Sequence, residues 1–87
     1  MQIKIYTTQW CSDCRVTKMY LDQMQISYQE IDIENDDSAA QYVMSVNGGK
    51  RSVPTVEYGG DAVSLSNFSR EKLDNFLARH DLHRKLA

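Results

Sequence analysis

The spacing of the apolar residues changes twice within the first 33 positions, from two to three or four and back to two. No other feature restricts the fold as much. Residues 2–6 alternate Ile3 and Ile5 with polar neighbours, as a short half-buried strand does, and the polar run Thr7-Thr8-Gln9 ends them. From about Ser12 to Gln25 no glycine or proline interrupts the chain. Val16, Met19, Tyr20, Leu21 and Met24 recur there at three- and four-residue steps, which predicts a helix with one buried face. Residues 28–33 alternate again, with Ile31 and Ile33 on one side and Glu30, Asp32 and Glu34 on the other. Strand, helix and strand in succession close right-handed with parallel strands, so the connection after the first strand opens at the carboxyl end of the sheet.

Both cysteines of the chain fall in that connection, in the run Trp10-Cys11-Ser12-Asp13-Cys14. A Cys-x-x-Cys at a strand-to-helix junction sets its first sulfur beside unpaired backbone N–H groups and the positive end of the helix dipole, which favour a thiolate. The second sulfur, one helical turn on, is close enough to close a disulfide. A free thiol of pKa about 8.5 is only a few per cent ionised at neutral pH, and lowering it toward roughly 7 raises the reactive fraction about tenfold. A larger shift gains little thiolate while weakening each as a nucleophile, so a moderate one suits a reductant. Asp13 opposes the dipole, and Arg15 or Lys18 offset it only if they point toward the site.

Beyond residue 33, Asp36, Asp37 or Ser38 can cap a second helix running through Val46, with Ala39, Val43 and Val46 on one face and Asn47-Gly48-Gly49 as its stop. Val56-Glu57-Tyr58, Gly59-Gly60-Asp61 and Ala62-Val63-Ser64-Leu65 predict a hairpin, since glycine accepts the positive φ that tight connections need. A last helix starts near Ser69 and runs into the tail, carried by Leu73, Phe76 and Leu77. There is no repeat, linker or low-complexity segment, and residues 1–87 are expected to form one domain, too small for a spacious cavity.

The formal charge of -2, with ten dispersed basic residues, argues against a nucleic-acid binder. No apolar run approaches a membrane span. The start Met1-Gln2-Ile3-Lys4-Ile5-Tyr6 lacks the basic and long apolar parts of a secretion signal, so residence in the cytoplasm is expected. Two cysteines in a reducing compartment point to catalysis, redox sensing or metal binding rather than a structural staple.

The order of these elements, with Cys-x-x-Cys opening the first helix and Val53-Pro54 before the third strand, resembles the thioredoxin-like fold. More narrowly the chain is similar to small glutaredoxins of the mycoredoxin and NrdH-redoxin group. The pieces that carry this are Thr8-Gln9-Trp10-Cys11, Ile31-Asp32-Ile33-Glu34 and Val46-Asn47-Gly48-Gly49 leading to Arg51-Ser52-Val53-Pro54-Thr55. The resemblance implies an α/β fold with a four-stranded mixed sheet flanked by three helices, in the order β-α-β-α-β-β-α. It implies that Cys11 attacks, that Cys14 resolves the mixed disulfide, and that the Val53-Pro54 bond is cis, leaving the Val53 backbone free to pair with an extended peptide or small thiol. It also places Arg51 where a basic residue often faces the carboxylate of a bound thiol. No cofactor is implied. Partners would be disulfide-bearing proteins or low-molecular-weight thiols, with thioredoxin reductase and ribonucleotide reductase as candidates and the protein a monomer. Two departures argue against glutathione as the dedicated partner. Ser12-Asp13 replaces the usual Pro-Tyr, and Ser64-Leu65-Ser66-Asn67-Phe68 lacks the Gly-Gly and acidic residue that hold its γ-glutamyl end.

Around the pair, Trp10 is either a flat apolar shoulder for substrate or a shield packed on the helix. Arg51 is either a ligand for a carboxylate or a solvated loop charge. Thr8 and Gln9 read as loop polar groups, and Tyr42 and Tyr58 as packing. The acidic stretch Glu30, Asp32, Glu34, Asp36 and Asp37 reads as a solvated edge that discourages strand pairing. His80 and His83 fall where cations favour a helix carboxyl end. The leading function is a thiol-disulfide oxidoreductase. The alternatives are a metal or iron-sulfur module, for which two thiolates are too few ligands within one chain, and a non-catalytic redox adaptor.

Overall fold

The computed structural model describes residues 2–82. Its elements are β1 (Ile3–Thr7), α1 (Ser12–Gln23), β2 (Tyr28–Asp32), a 3₁₀ turn (Ile33–Asn35), α2 (Asp37–Val46), β3 (Thr55–Tyr58), β4 (Asp61–Ser64) and α3 (Arg70–Arg79). The strands lie in the order β2-β1-β3-β4. The β1–β2 pair is parallel, and the β1–β3 and β3–β4 pairs are antiparallel, giving the expected mixed sheet of four strands.

The alternation of side chains along β1 divides the interior. Ile3 and Ile5 point to a core shared with Leu21 of α1, Val56 of β3 and Leu73, Phe76 and Leu77 of α3. Tyr6 points to the other face, where it packs with Ile33 and with Ala39, Ala40 and Val43 of α2. The period of two therefore sends alternate residues of one strand into two helix layers.

The predicted faces of the helices need correction. In α1 the buried residues are Cys14, Thr17 and Leu21, whereas Val16 and Met19 are exposed, Met19 at 59%. Thr17 tolerates burial because its hydroxyl donates to the Asp13 carbonyl at 2.8 Å. In α2, Ala40 joins Ala39 and Val43 inside, and Val46 lies outside. Of the three candidate caps for α2, Asp36 serves, accepting from the Ala39 N–H at 3.0 Å.

Several ends also differ. The first helix stops at Gln23 rather than Gln25, because Gln25 takes φ 60° and the N–H groups of Gln25 and Ile26 close back on the carbonyls of Asp22 and Leu21. The last helix starts after Ser69 but stops at Arg79, closed in the same way by Asp81 at φ 57° and by the Leu82 N–H on the Leu77 carbonyl. The rest of the predicted tail, His83 included, lies outside the described residues. The second strand ends at Asp32, whose carboxylate accepts from the Glu34 N–H and turns the chain into the 3₁₀ turn, so Ile33 reaches the core from there. The hairpin connection is Gly59-Gly60, both with positive φ, which puts Asp61 inside β4, Thr55 inside β3 and Leu65 just past β4.

Candidate active site

Three connections converge at one end of the sheet. Tyr6 pairs with Thr55 and Thr55 with Ser64, so the segments 8–11, 50–54 and 65–68 all leave from the level at which β1 ends. The Val53-Pro54 bond among them is cis, as the resemblance implies. The Pro54 carbonyl accepts from the Leu65 N–H at 2.8 Å, and the hydroxyls of Ser52 and Ser64 lie 2.6 Å apart, which ties the second connection to the third.

Cys11 is the N-cap of α1, and its sulfur accepts from the Cys14 N–H at 3.0 Å. The sequence-based reading of a first sulfur held by backbone donors at the helix start thus has a direct geometric counterpart. The two cysteines are joined in a disulfide, with Cα atoms 5.2 Å apart. They differ in access: Cys14 is 1% exposed, while Cys11 is half-buried and faces outward.

One side of the pair opens on a cavity of about 330 Å³ lined by Thr7, Thr8, Gln9, both cysteines, Arg15, Lys18, Glu30 and Asp32. The Lys18 ammonium and the Thr7 hydroxyl both donate to one oxygen of Glu30, at 2.9 and 2.8 Å. Partial burial pushes the Glu30 carboxyl up, but these two hydrogen bonds and the Lys18 charge outweigh it and hold the group below its ordinary value. The buried hydroxyl of Thr8 has no hydrogen-bond partner among the described residues. Thr8 and Gln9, predicted as loop polar groups, thus belong to the wall of the cavity beside the sulfurs.

On the other side stands Asp13. Its carboxylate accepts from the backbone N–H of Asn67 at 2.9 Å, which joins the first turn of α1 to the loop before α3. Arg15 and Lys18, the predicted offsets, line the cavity, and Lys18 is closed onto Glu30. Trp10 is 70% exposed, so it is not packed as a shield against the helix. Val53 is half-buried and Pro54 buried. Arg51 is exposed and lies 3.6 Å from Glu34, a residue just past the carboxyl end of β2.

Thr7 and Glu30 were not singled out by the sequence for this place, and Lys18 was named there only as an offset to Asp13. The signal for Lys18 is its position four residues after Cys14, on the same helix face. For Glu30 it is the parallel register that sets Ile5 beside it, which no local pattern reveals. The acidic stretch also does more than solvate an edge, since Asp32 caps the 3₁₀ turn, Asp36 caps α2 and Glu30 holds Lys18. Among the described residues no group of three or more His, Cys, Asp or Glu side chains is arranged to hold a metal ion.

Comparison with known proteins bears on this arrangement. The sequence model of the glutaredoxin family matches residues 3–63. A protein of Mycobacterium tuberculosis named as a glutaredoxin is 45% identical over 71 residues, covering 82% of this chain and 83% of that one. Mycoredoxin 1 of Corynebacterium glutamicum is 45% identical over 56 residues, 64% of this chain and 68% of its own. Among solved structures, the glutaredoxin-like NrdH-redoxin of Escherichia coli superposes with a TM-score of 0.71 at 27% identity, over 88% of this chain and 95% of that one.

Proposed function

Because the chain belongs to the glutaredoxin family and is a thiol-disulfide oxidoreductase, we propose that Cys11 is its nucleophile and Cys14 its resolving thiol. The observation that carries this assignment is the asymmetry of the pair. Cys11 stands at the N-cap with its sulfur on the Cys14 N–H, and Cys14 is buried behind it. A substrate disulfide reaches only the first sulfur, where backbone donors stabilise the attacking thiolate. The Cys11 thiolate bonds to one sulfur of the substrate and the other leaves as a thiolate. Cys14, having lost its proton, then attacks the Cys11 sulfur and releases the second reduced thiol. The pair ends oxidised by two electrons and is recycled by an outside reductant, either a low-molecular-weight thiol or thioredoxin reductase.

Substrate contacts fall to Trp10, the exposed residue that precedes Cys11, and to Val53 and cis Pro54 at the same end of the sheet. Arg51 offers a charge at the rim, already shared with Glu34. The clients are disulfide-bearing proteins or small mixed disulfides, and the setting is a reducing compartment such as the cytoplasm. Among the described residues no helix is long and apolar enough to cross a membrane.

The test compares Cys11→Ser with Cys14→Ser. The first is expected to abolish reduction of a protein disulfide. The second is expected to allow one attack and then hold a stable mixed disulfide, visible as an added mass that a dithiol removes. Turnover by Cys11→Ser, or adducts on Cys14 rather than on Cys11, would reverse or remove the assignment. Supplying each reductant separately to the oxidised protein identifies the recycling partner.

A further inference from the structure

The Asp13 carboxylate has a fixed position. It occupies the second position of α1, two residues after Cys11, and accepts at 2.9 Å from the N–H of Asn67, a residue 54 positions away whose φ of 60° turns that N–H toward the helix start. A surface aspartate would normally swing into water. This one is pinned between the cysteines and the 65–68 loop. It also draws on the same positive helix end that serves the Cys11 sulfur.

The surrounding charges decide what this does. On the cavity side Arg15 and Lys18 line the wall together with Glu30 and Asp32, and Lys18 is bonded to Glu30 at 2.9 Å. Arg51 is matched by Glu34. The Lys18–Glu30 and Arg51–Glu34 pairs offset internally, whereas Asp13, between the two cysteines in the chain, forms no ion pair among the described residues and places an unpaired negative charge next to them. Resting on the thiol-disulfide reading above, the structure assigns Asp13 as a specificity-determining residue that disfavours anionic low-molecular-weight disulfides and favours neutral or cationic ones. In the attack step the S–S bond of the substrate breaks, its leaving sulfur takes the electron pair, and negative charge spreads over three sulfurs in line. Carboxylates on the substrate add like charge next to Asp13 and raise that barrier, whereas ammonium groups lower it.

The experiment measures second-order rate constants for oxidation of the reduced full-length protein by three disulfides of differing charge: glutathione disulfide, hydroxyethyl disulfide and cystamine. It uses the wild type, Asp13→Asn and Asp13→Ala at low and high salt. Asparagine keeps an oxygen for the Asn67 N–H and loses the charge, whereas alanine loses both. The expected result is that the preference for cystamine over glutathione disulfide falls about three- to tenfold in both variants, and that the wild-type preference shrinks in high salt. An unchanged preference in Asp13→Asn overturns the proposal. So does a change seen only in Asp13→Ala, which would assign the effect to the loop contact. Reaction of all three disulfides no faster than with a free thiol would instead remove the thiol-disulfide reading itself, and the selector with it.

Discussion

Glu30 shows how a single charged residue joins structure to the site. Its oxygen binds Thr7 on the neighbouring strand and Lys18 on α1, so it links β1, β2 and the active-site helix beneath the cysteines. Its carboxyl titrates below its ordinary value, which means the folded state favours the ionised form. That stabilisation is fully present above the unfolded value of about 4.3 and is lost as the pH falls through the lower folded value. With side chains 27% and 40% exposed, solvent screens much of the Lys18–Glu30 attraction. Glu30→Gln is therefore expected to lower stability by about 0.5–1 kcal/mol at pH 7 and by progressively less as the pH falls through the folded-state value. Urea unfolding of both proteins across this range checks it; an equal difference at both ends would show that packing, not charge, is what Glu30 supplies.

At the scale of the elements, the helix ends follow one geometry with different residues. After α2 the stop is glycine: Gly48 takes φ 64°, and the N–H of the next residue, Gly49, donates to the Met44 carbonyl at 2.7 Å. After α1 the same closure is made with Gln25 at φ 60°, where a side chain is strained. The two positions should respond oppositely. Gly48→Ala is expected to destabilise by about 1 kcal/mol through backbone strain alone, since a Cβ there meets nothing within 4 Å. Gln25→Gly is expected to stabilise by about 0.5–1 kcal/mol, less the entropy glycine adds to the unfolded chain. Paired thermal melts decide, and a loss in Gln25→Gly would mean that its side chain supplies more than the strain costs.

At the scale of the whole molecule, α1 and α3 share one face of the sheet, and Phe76 fills the space between them and the strands at 1% exposure. The hydroxyl of Tyr20 donates to Asp74 and Arg70 stacks 5.3 Å from the Tyr20 ring, so polar contacts continue the junction outward. Phe76→Ala is expected to cost about 3–5 kcal/mol. That is a large part of the roughly 5–15 kcal/mol that a small domain has. The midpoint of thermal unfolding should drop by roughly 15–30 °C. A drop of only a few degrees would show that the core collapses around the cavity, or that α3 contributes little. Because the 65–68 loop precedes α3 and holds Asp13, loosening α3 is also expected to weaken the charge preference at the site.

What the residue order determined by itself is local: the alternation of apolar positions marks strands, three- and four-residue steps mark helices, and Asn47-Gly48-Gly49 and Gly59-Gly60 mark stops and turns. From those follow the element order and the placing of Cys11 and Cys14 at a strand-to-helix junction, while the thiol-disulfide reading also rests on the family resemblance that the longer motifs carry. Three features needed the folded chain. Which face of α1 is covered depends on how the helix lies on the sheet, and Cys14 and Thr17, small and weakly apolar, are buried there in place of Val16 and Met19. Non-glycine residues take positive φ at Gln25 and Asp81, in helix-end closures that a glycine would ordinarily make, and at Asn67, whose N–H is held by Asp13. The contacts that give the site its charge, Asp13 with Asn67, Lys18 with Glu30 and Arg51 with Glu34, join segments 54, 12 and 17 residues apart. Periodicity reports only a residue's own neighbourhood, whereas these contacts exist because the fold brings α1 to β2 and lets separate connections leave the sheet at the same end.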